Sequence, residues 1–194
     1  MDNIRQSSIW TGNLITSLVN WFKELNILKI FFEEPSREYN VREVARILKI
    51  APATASKELK KLVKEGLLKD RKERNLNLYK ANLESDVYKD TKLYYNIRKL
   101  KERGLIEAIN KFYLKPTILL FGSGSYGNDT ETSDLDLLII SERTKEFPEI
   151  KKFEEKLNRK LQIFIVKDIK DLKNKHLINN ILNGIILQGQ VKWI

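Results

Sequence analysis

Residues 121–136 read Phe121-Gly-Ser-Gly-Ser-Tyr-Gly-Asn-Asp-Thr-Glu-Thr-Ser-Asp-Leu-Asp136. An apolar run, Thr117 to Phe121, precedes them and reads as a short strand. Glycines at 122, 124 and 127 permit a tight turn and close approach of a phosphate to the backbone. Residues after Ser123 can open a short helix whose N–H groups face an anion, and the Ser123 hydroxyl adds a donor. Taken alone, such a turn also suits a plain flexible connection. The acidic pair that follows is more informative. Asp134 to Ile140 has the composition of a strand, and side chains at i and i+2 share a face. Asp134 and Asp136 then point the same way, with Leu135, Leu137 and Ile139 packed on the other side. Two such carboxylates repel each other unless a cation lies between them. Hard oxygen ligands beside a phosphate cradle suit Mg²⁺ or Mn²⁺.

Working outward, the chain has 194 residues, enough for one large or two small domains. It has no cysteine and a single histidine, His176, which excludes disulfides, thiolate metal sites and a histidine cage. No apolar run approaches the roughly 20 residues that span a bilayer, and Asp2 with no hydrophobic core after it argues against a secretory leader. The expectation is a cytoplasmic protein with no membrane partner. The formal charge of +10 is uneven: residues 1–113 carry 23 Lys+Arg against 15 Asp+Glu, and residues 114–194 carry 13 against 11. Lysine-rich helices can simply solvate a surface, but segregation into one half points to a polyanionic partner.

Within that basic half, residues 13–22 suggest a short amphipathic helix with Leu14, Leu18 and Trp21 or Phe22 near one face, as core or as a dimer seam. A second helix covers about 24–34 and stops before Pro35. Val41 to Leu48 reads as helical, Lys49-Ile50-Ala51 as a break, and Pro52 as the first turn of a further helix. That helix runs to about Glu65, burying Ala55, Leu59, Leu62 and Val63, and Gly66 ends it. Leu67–Lys72 and Asn75–Ala81 read as strands joined by the charged turn Arg71-Lys72-Glu73-Arg74. Helix, turn, helix and charged hairpin in this order resemble a winged helix-turn-helix domain, over about residues 1–84. The resemblance implies that Ser56, Lys57, Lys60 and Lys64 face double-stranded DNA, with Arg71, Lys72 and Arg74 at the wing tip. A winged helix can instead serve as a protein-docking or dimer module. Residues 85–113 are polar and helical, with Ile97, Leu100, Ile106 and Ile109 as an apolar stripe. They form a helical linker, or pack on the second half as its first helix, and Pro116 marks a boundary near 114.

The spacing Gly122-Ser123, ten residues, Asp134-x-Asp136, with Gly127 between, resembles the minimal nucleotidyltransferases of the polymerase-beta-like superfamily. The resemblance covers about residues 105–194, and the ending Ile181–Leu187 looks like the helix-to-strand close of that group. It implies an α+β chain: a winged helix-turn-helix followed by a small mixed sheet with flanking helices. It also implies an NTP, ATP foremost, bound at Gly122, Ser123 and Gly127, with Asp134 and Asp136 as metal-binding catalytic carboxylates. A nucleoside monophosphate would pass to a macromolecular acceptor, as pyrophosphate leaves. A third carboxylate expected on a later strand corresponds to Gln162 in Lys160–Val166, after a helix at about 148–158; Asp168 lies beyond it. An uncharged amide cannot act as a general base. The alternative is therefore a transcriptional regulator whose second domain is catalytically weak or inactive and senses nucleotide or mediates assembly. An RNA-directed transferase is a third reading. A protein acceptor or helical partner and a homodimer are the further partners expected.

Overall fold

The sheet and helices are seen in a computed structural model that describes residues 26–191. The expected helix at 13–22, with Leu14, Leu18, Trp21 and Phe22, lies outside the described residues. The chain divides into two compact units between Asn82 and Leu83.

In the first unit, helix α1 is described over 26–33 and buries Ile27, Leu28, Phe31 and Phe32. A two-residue strand β1 (Tyr39–Asn40) leads into α2 (Val41–Leu48). Asn40 starts that helix by accepting from the N–H groups of Arg42 (2.9 Å) and Glu43 (3.0 Å), while the Glu43 carboxylate accepts from Asn40 N–H (2.8 Å). This reciprocal cap satisfies donors that a helix start leaves bare. Helix α3 (Pro52–Lys64) follows with proline in its first turn and buries Ala55, Leu59 and Leu62; Val63 is only half-buried. Strands β2 (Leu68–Glu73) and β3 (Leu76–Ala81) form the hairpin, and the sheet order is β1-β3-β2. The register pairs Glu73 with Leu76, so the turn is Arg74-Asn75 and not Arg71–Arg74 as the sequence suggested. Arg74 takes φ +53° there, and two-residue hairpin turns require such left-handed residues. Arg71 and Lys72 consequently belong to β2.

The second unit begins with α4 (Asp86–Glu102) and α5 (Leu105–Tyr113). Strand β4 (Thr117–Phe121), strand β5 (Leu135–Ile140), helix α6 (Ile150–Leu157) and strand β6 (Leu161–Val166) follow. Helix α7 (Lys175–Leu182) and strand β7 (Ile185–Gln188) close it. The sheet order is β6-β5-β4-β7; β4 runs antiparallel to β5 and β7, and β5 runs parallel to β6. Both faces are covered. Ile118, Leu120, Leu135, Leu137, Ile139 and Leu161 pack with residues of α4, α5 and α6. Leu119, Phe121 and Leu138 pack on the opposite face with Ile169 and Ile181. Two buried faces explain why β4 and β5 read as continuous apolar runs and not as alternating ones. Residues 85–113 are part of this unit and not a linker, since Leu100, Leu105, Ile106 and Ile109 are in its core. No described helix is long and apolar enough to cross a membrane.

Candidate functional site

At the end of β4 the chain turns in a 3-10 helix over Gly122–Tyr126. Gly122 has φ +70°, and a Cβ on it would collide with the Asp136 carboxylate. Gly127 has φ +65°, and a Cβ there would collide with the backbone carbonyl of Lys89 in α4. Each of these two positions therefore requires glycine twice over, by conformation and by space. The turn is tied internally: the Ser125 hydroxyl donates to Gly122 O (2.8 Å), and the Asn128 N–H donates to Ser123 O (3.1 Å). The half-buried Ser123 hydroxyl has no partner among the described residues, which leaves it open to a ligand.

The strand registers bring the acidic pair to this turn. Phe121 pairs with Asp136 across β4 and β5, and Asp136 pairs with Gln162 across β5 and β6. Directly paired residues present their side chains on one face, so Gln162 is the lateral neighbour of Asp136. Asp134 is exposed one residue ahead of β5, and Asp136 is half-buried in its first turn of the pleat. Burial first, and then the charge of Asp134, push the Asp136 carboxyl pKa up. A bound cation would reverse both effects. Asp134 also lines an open cavity of about 570 Å³ with Ser133, Glu155, Arg159 and Lys160. Among the residues of β6, none is a carboxylate that could take the place of Gln162. Asp168, past the end of β6, accepts from Lys170 N–H (2.8 Å) and caps the short 3-10 turn Ile169–Asp171. Among the described residues no group of three or more His, Asp or Glu could hold a metal ion.

On the first unit, Lys57, Lys60 and Lys64 are exposed along one face of α3, while Ser56 is half-buried. Lys72 and Arg74 are exposed on the hairpin. Arg71 differs from the expectation of a wing-tip cation free for DNA. Its Nε and Nη2 donate to Glu38 (2.8 and 2.6 Å), and its Nη1 lies 2.6 Å from Glu73. These carboxylates hold its pKa further up and neutralise its charge within the fold.

Residues 102–187 match the model of the family described as "Nucleotidyltransferase domain", and residues 23–70 match that described as "Bacterial regulatory protein, arsR family". The chain joins an ArsR-family helix-turn-helix to a nucleotidyltransferase domain. Two solved structures are similar to it. One is an apo-form mutant of ZitR from Lactococcus lactis, 18% identical, covering 58% of this chain and 84% of that one with a TM-score of 0.36. The other is reduced HlyU from Vibrio cholerae, 20% identical, covering 58% of this chain and 98% of that one with a TM-score of 0.30. No curated protein matches the chain.

The nucleotidyltransferase domain contains one feature that the sequence reading missed. Asp129, in the loop between the Gly-Ser turn and Asp134, is fully buried. Its Oδ1 accepts from Asn96 (2.8 Å), its Oδ2 accepts from Arg159 Nη1 (2.9 Å), and Lys92 lies 3.5 Å from Oδ2 while donating to the Asp129 backbone carbonyl. Asn96 also donates to Gly124 O (3.1 Å), and Arg159 Nε donates to Ser133 O (2.8 Å). One carboxylate thus fastens the Gly-Ser turn, the loop and the residue before Asp134 to α4 and to the end of α6. Burial depresses the Lys92 pKa, against the pull of Asp129. The available signal was the four-residue spacing Tyr88, Lys92, Asn96, Leu100, all buried in α4. It reads as a polar face until Lys92 and Asn96 are known to point inward.

Proposed function

We propose that the second unit binds a Mg²⁺-nucleoside triphosphate at the Gly122–Ser123 turn and Asp134/Asp136, and that the first binds double-stranded DNA. The observation that carries the nucleotide reading is the close approach of Gly122 to Asp136, whose carboxylate leaves no room for a Cβ; it supports phosphate donors lying beside metal ligands. The family supports NTP and metal use in general. The residues fit Mg²⁺: two carboxylates of hard oxygen, one with its pKa raised by burial and by the charge of the other, and phosphate oxygens to complete the shell. When bound, the metal neutralises phosphate charge and polarises the α-phosphoryl group. The chain's own groups do the rest. Gly122 admits the phosphate, Ser123 donates to it, and Asp134 and Asp136 fix the ion.

The reaction this arrangement suits is nucleotidyl transfer. An acceptor hydroxyl forms a bond to the α-phosphorus, the bond to the bridging oxygen of pyrophosphate breaks, and the hydroxyl proton goes to water. The open cavity beside Asp134 is the side from which a macromolecular acceptor, most simply a protein, approaches. Gln162 opposite Asp136 favours a second reading, in which transfer is slow and the domain acts mainly in nucleotide sensing or assembly. DNA binding rests on the exposed Lys57, Lys60, Lys64, Lys72 and Arg74, as a homodimer reading paired half-sites.

The test uses α-labelled and γ-labelled ATP with Mg²⁺ and a total lysate. Label retained from the α-phosphate alone, and lost in Asp136→Ala, supports transfer. Its absence, with ATP binding intact, supports the sensing reading. Gln162→Asp should raise transfer; no gain would mean that the missing carboxylate is not what limits the reaction.

A further inference from the structure

Strand β6 is an edge of the sheet, and it lacks the devices that guard such edges. Natural edge strands are kept short, bulged, proline-bearing or charged, because their free N–H and C=O groups template pairing with another strand. β7, the other edge, has four residues and a register shift against β4. β6 is six residues long, regularly paired to β5, uncharged, and apolar at every position but Gln162. From Ile163 to Val166 its side chains are half-buried on both faces.

The backbone directions are fixed by the parallel ladder. Leu135 N–H donates to Lys160 O, and Ser141 N–H donates to Val166 O, so the even-numbered residues of β6 turn their groups toward β5. The odd-numbered ones face outward. Leu161 N–H finds the Glu154 carboxylate at 3.0 Å. Ile163 and Ile165 have no such partner among the described residues.

We propose that β6 pairs antiparallel with β6 of a second copy of this chain, about a two-fold axis at Phe164. Ile163 then exchanges backbone hydrogen bonds with Ile165 of the second copy, and Ile165 with its Ile163. The charges select this register. With Phe164 on the axis, Lys160 of each copy comes opposite Asp168 of the other. Placing Ile163 or Ile165 on the axis loses this pairing, since Lys160 would face Val166 in the first case and Asp168 would face Gln162 in the second. Two mixed sheets become one continuous sheet with no exposed β6 edge. The second copy's Val166 stands beside Gln162 and closes that flank of the carboxylate site. This interface lies wholly in the nucleotidyltransferase domain and does not depend on nucleotide binding.

The chain has no cysteine, so single cysteines report on the interface directly. Across the axis a non-hydrogen-bonded antiparallel pair has Cα atoms about 4.5 Å apart, inside the range a disulfide needs. Under mild oxidation of the full chain, Phe164→Cys should give a disulfide-linked dimer on a non-reducing gel, at least ~5-fold more than Ile163→Cys or Ile165→Cys. Dominant linkage at Ile163→Cys or Ile165→Cys would overturn the register. Linkage at Phe164→Cys no greater than at the exposed control Leu114→Cys would overturn the interface. Phe164 packs against Phe121, so a second variant guards against misfolding. Lys160→Asp should weaken self-association at least ~10-fold by sedimentation equilibrium with the sheet intact by circular dichroism; unchanged association would contradict the pairing.

Discussion

Asp129→Asn removes one charge from the centre of the second unit and changes almost no volume. The wild-type carboxylate accepts from Asn96 and Arg159 and faces Lys92, with all four side chains buried. An amide in its place keeps one acceptor for Asn96 and turns an N–H₂ group toward Arg159 or Lys92. Two buried cations then lose their counter-ion. Breaking a buried pair from one side is destabilising by about 3–5 kcal/mol, a large share of the roughly 5–15 kcal/mol that holds a domain folded. Lys92→Met takes away a cation whose burial already depresses its pKa, and leaves Asp129 bonded to Arg159 and Asn96. Its effect should be smaller, about 1–3 kcal/mol, the cost of leaving the Asp129 backbone carbonyl without its donor. Urea unfolding of the full chain, followed by circular dichroism, separates the two, provided the m-values agree. Should Lys92→Met destabilise as much as Asp129→Asn, the aspartate would not be the hub that fastens the loop.

Gly122 and Gly127, at the two ends of the Gly-Ser turn, should fail in different ways. Gly127→Ala drives a Cβ into the backbone of α4, which cannot move aside, and should destabilise by more than ~2 kcal/mol in the same urea assay. Gly122→Ala meets the Asp136 side chain, so it should lower Mn²⁺-ATP affinity at least ~10-fold in titration calorimetry for about 1 kcal/mol of stability. Asp136→Asn should stabilise the metal-free protein by about 0.5 kcal/mol at neutral pH, the scale of a like-charge pair on one face. Because the folded-state pKa of Asp136 is raised, its ionised form opposes folding; thermal melts should show that difference shrinking as pH falls through its titration. For DNA, Lys57→Ala with Lys60→Ala should reduce the slope of log affinity against log salt by about 2, measured by fluorescence anisotropy. Arg71→Ala should leave that slope nearly unchanged, because Glu38 and Glu73 already hold its charge.

The parts of this molecule that follow local rules were readable. Pro52 and Gly66 bracket α3, and the alternation around Asp134-Leu-Asp136 separates carboxylates from core. The family resemblance singled out Gln162 on the strand after α6, and the parallel register pairs it with Asp136. What stayed hidden depends on contacts far apart in sequence. Lys92, Asn96, Asp129 and Arg159 look like ordinary surface polar residues until α4, the loop and the end of α6 meet. Arg71 looked like a free cation because Glu38, which holds it, lies 33 positions away. The hairpin turn was misplaced by its charge: Arg71-Lys72-Glu73 are polar enough for a loop, but the exposed side of a small wing is polar along its strands as well.

Equilibrium binding of α-labelled ATP tests the central claim most directly, with and without Mg²⁺, on wild type and on Asp134→Ala with Asp136→Ala. Binding that requires Mg²⁺ and falls at least ~10-fold in the double variant is the predicted result. ATP binding that is independent of metal and indifferent to both aspartates would contradict the assignment of the Gly122–Asp136 segment as a metal–nucleotide site.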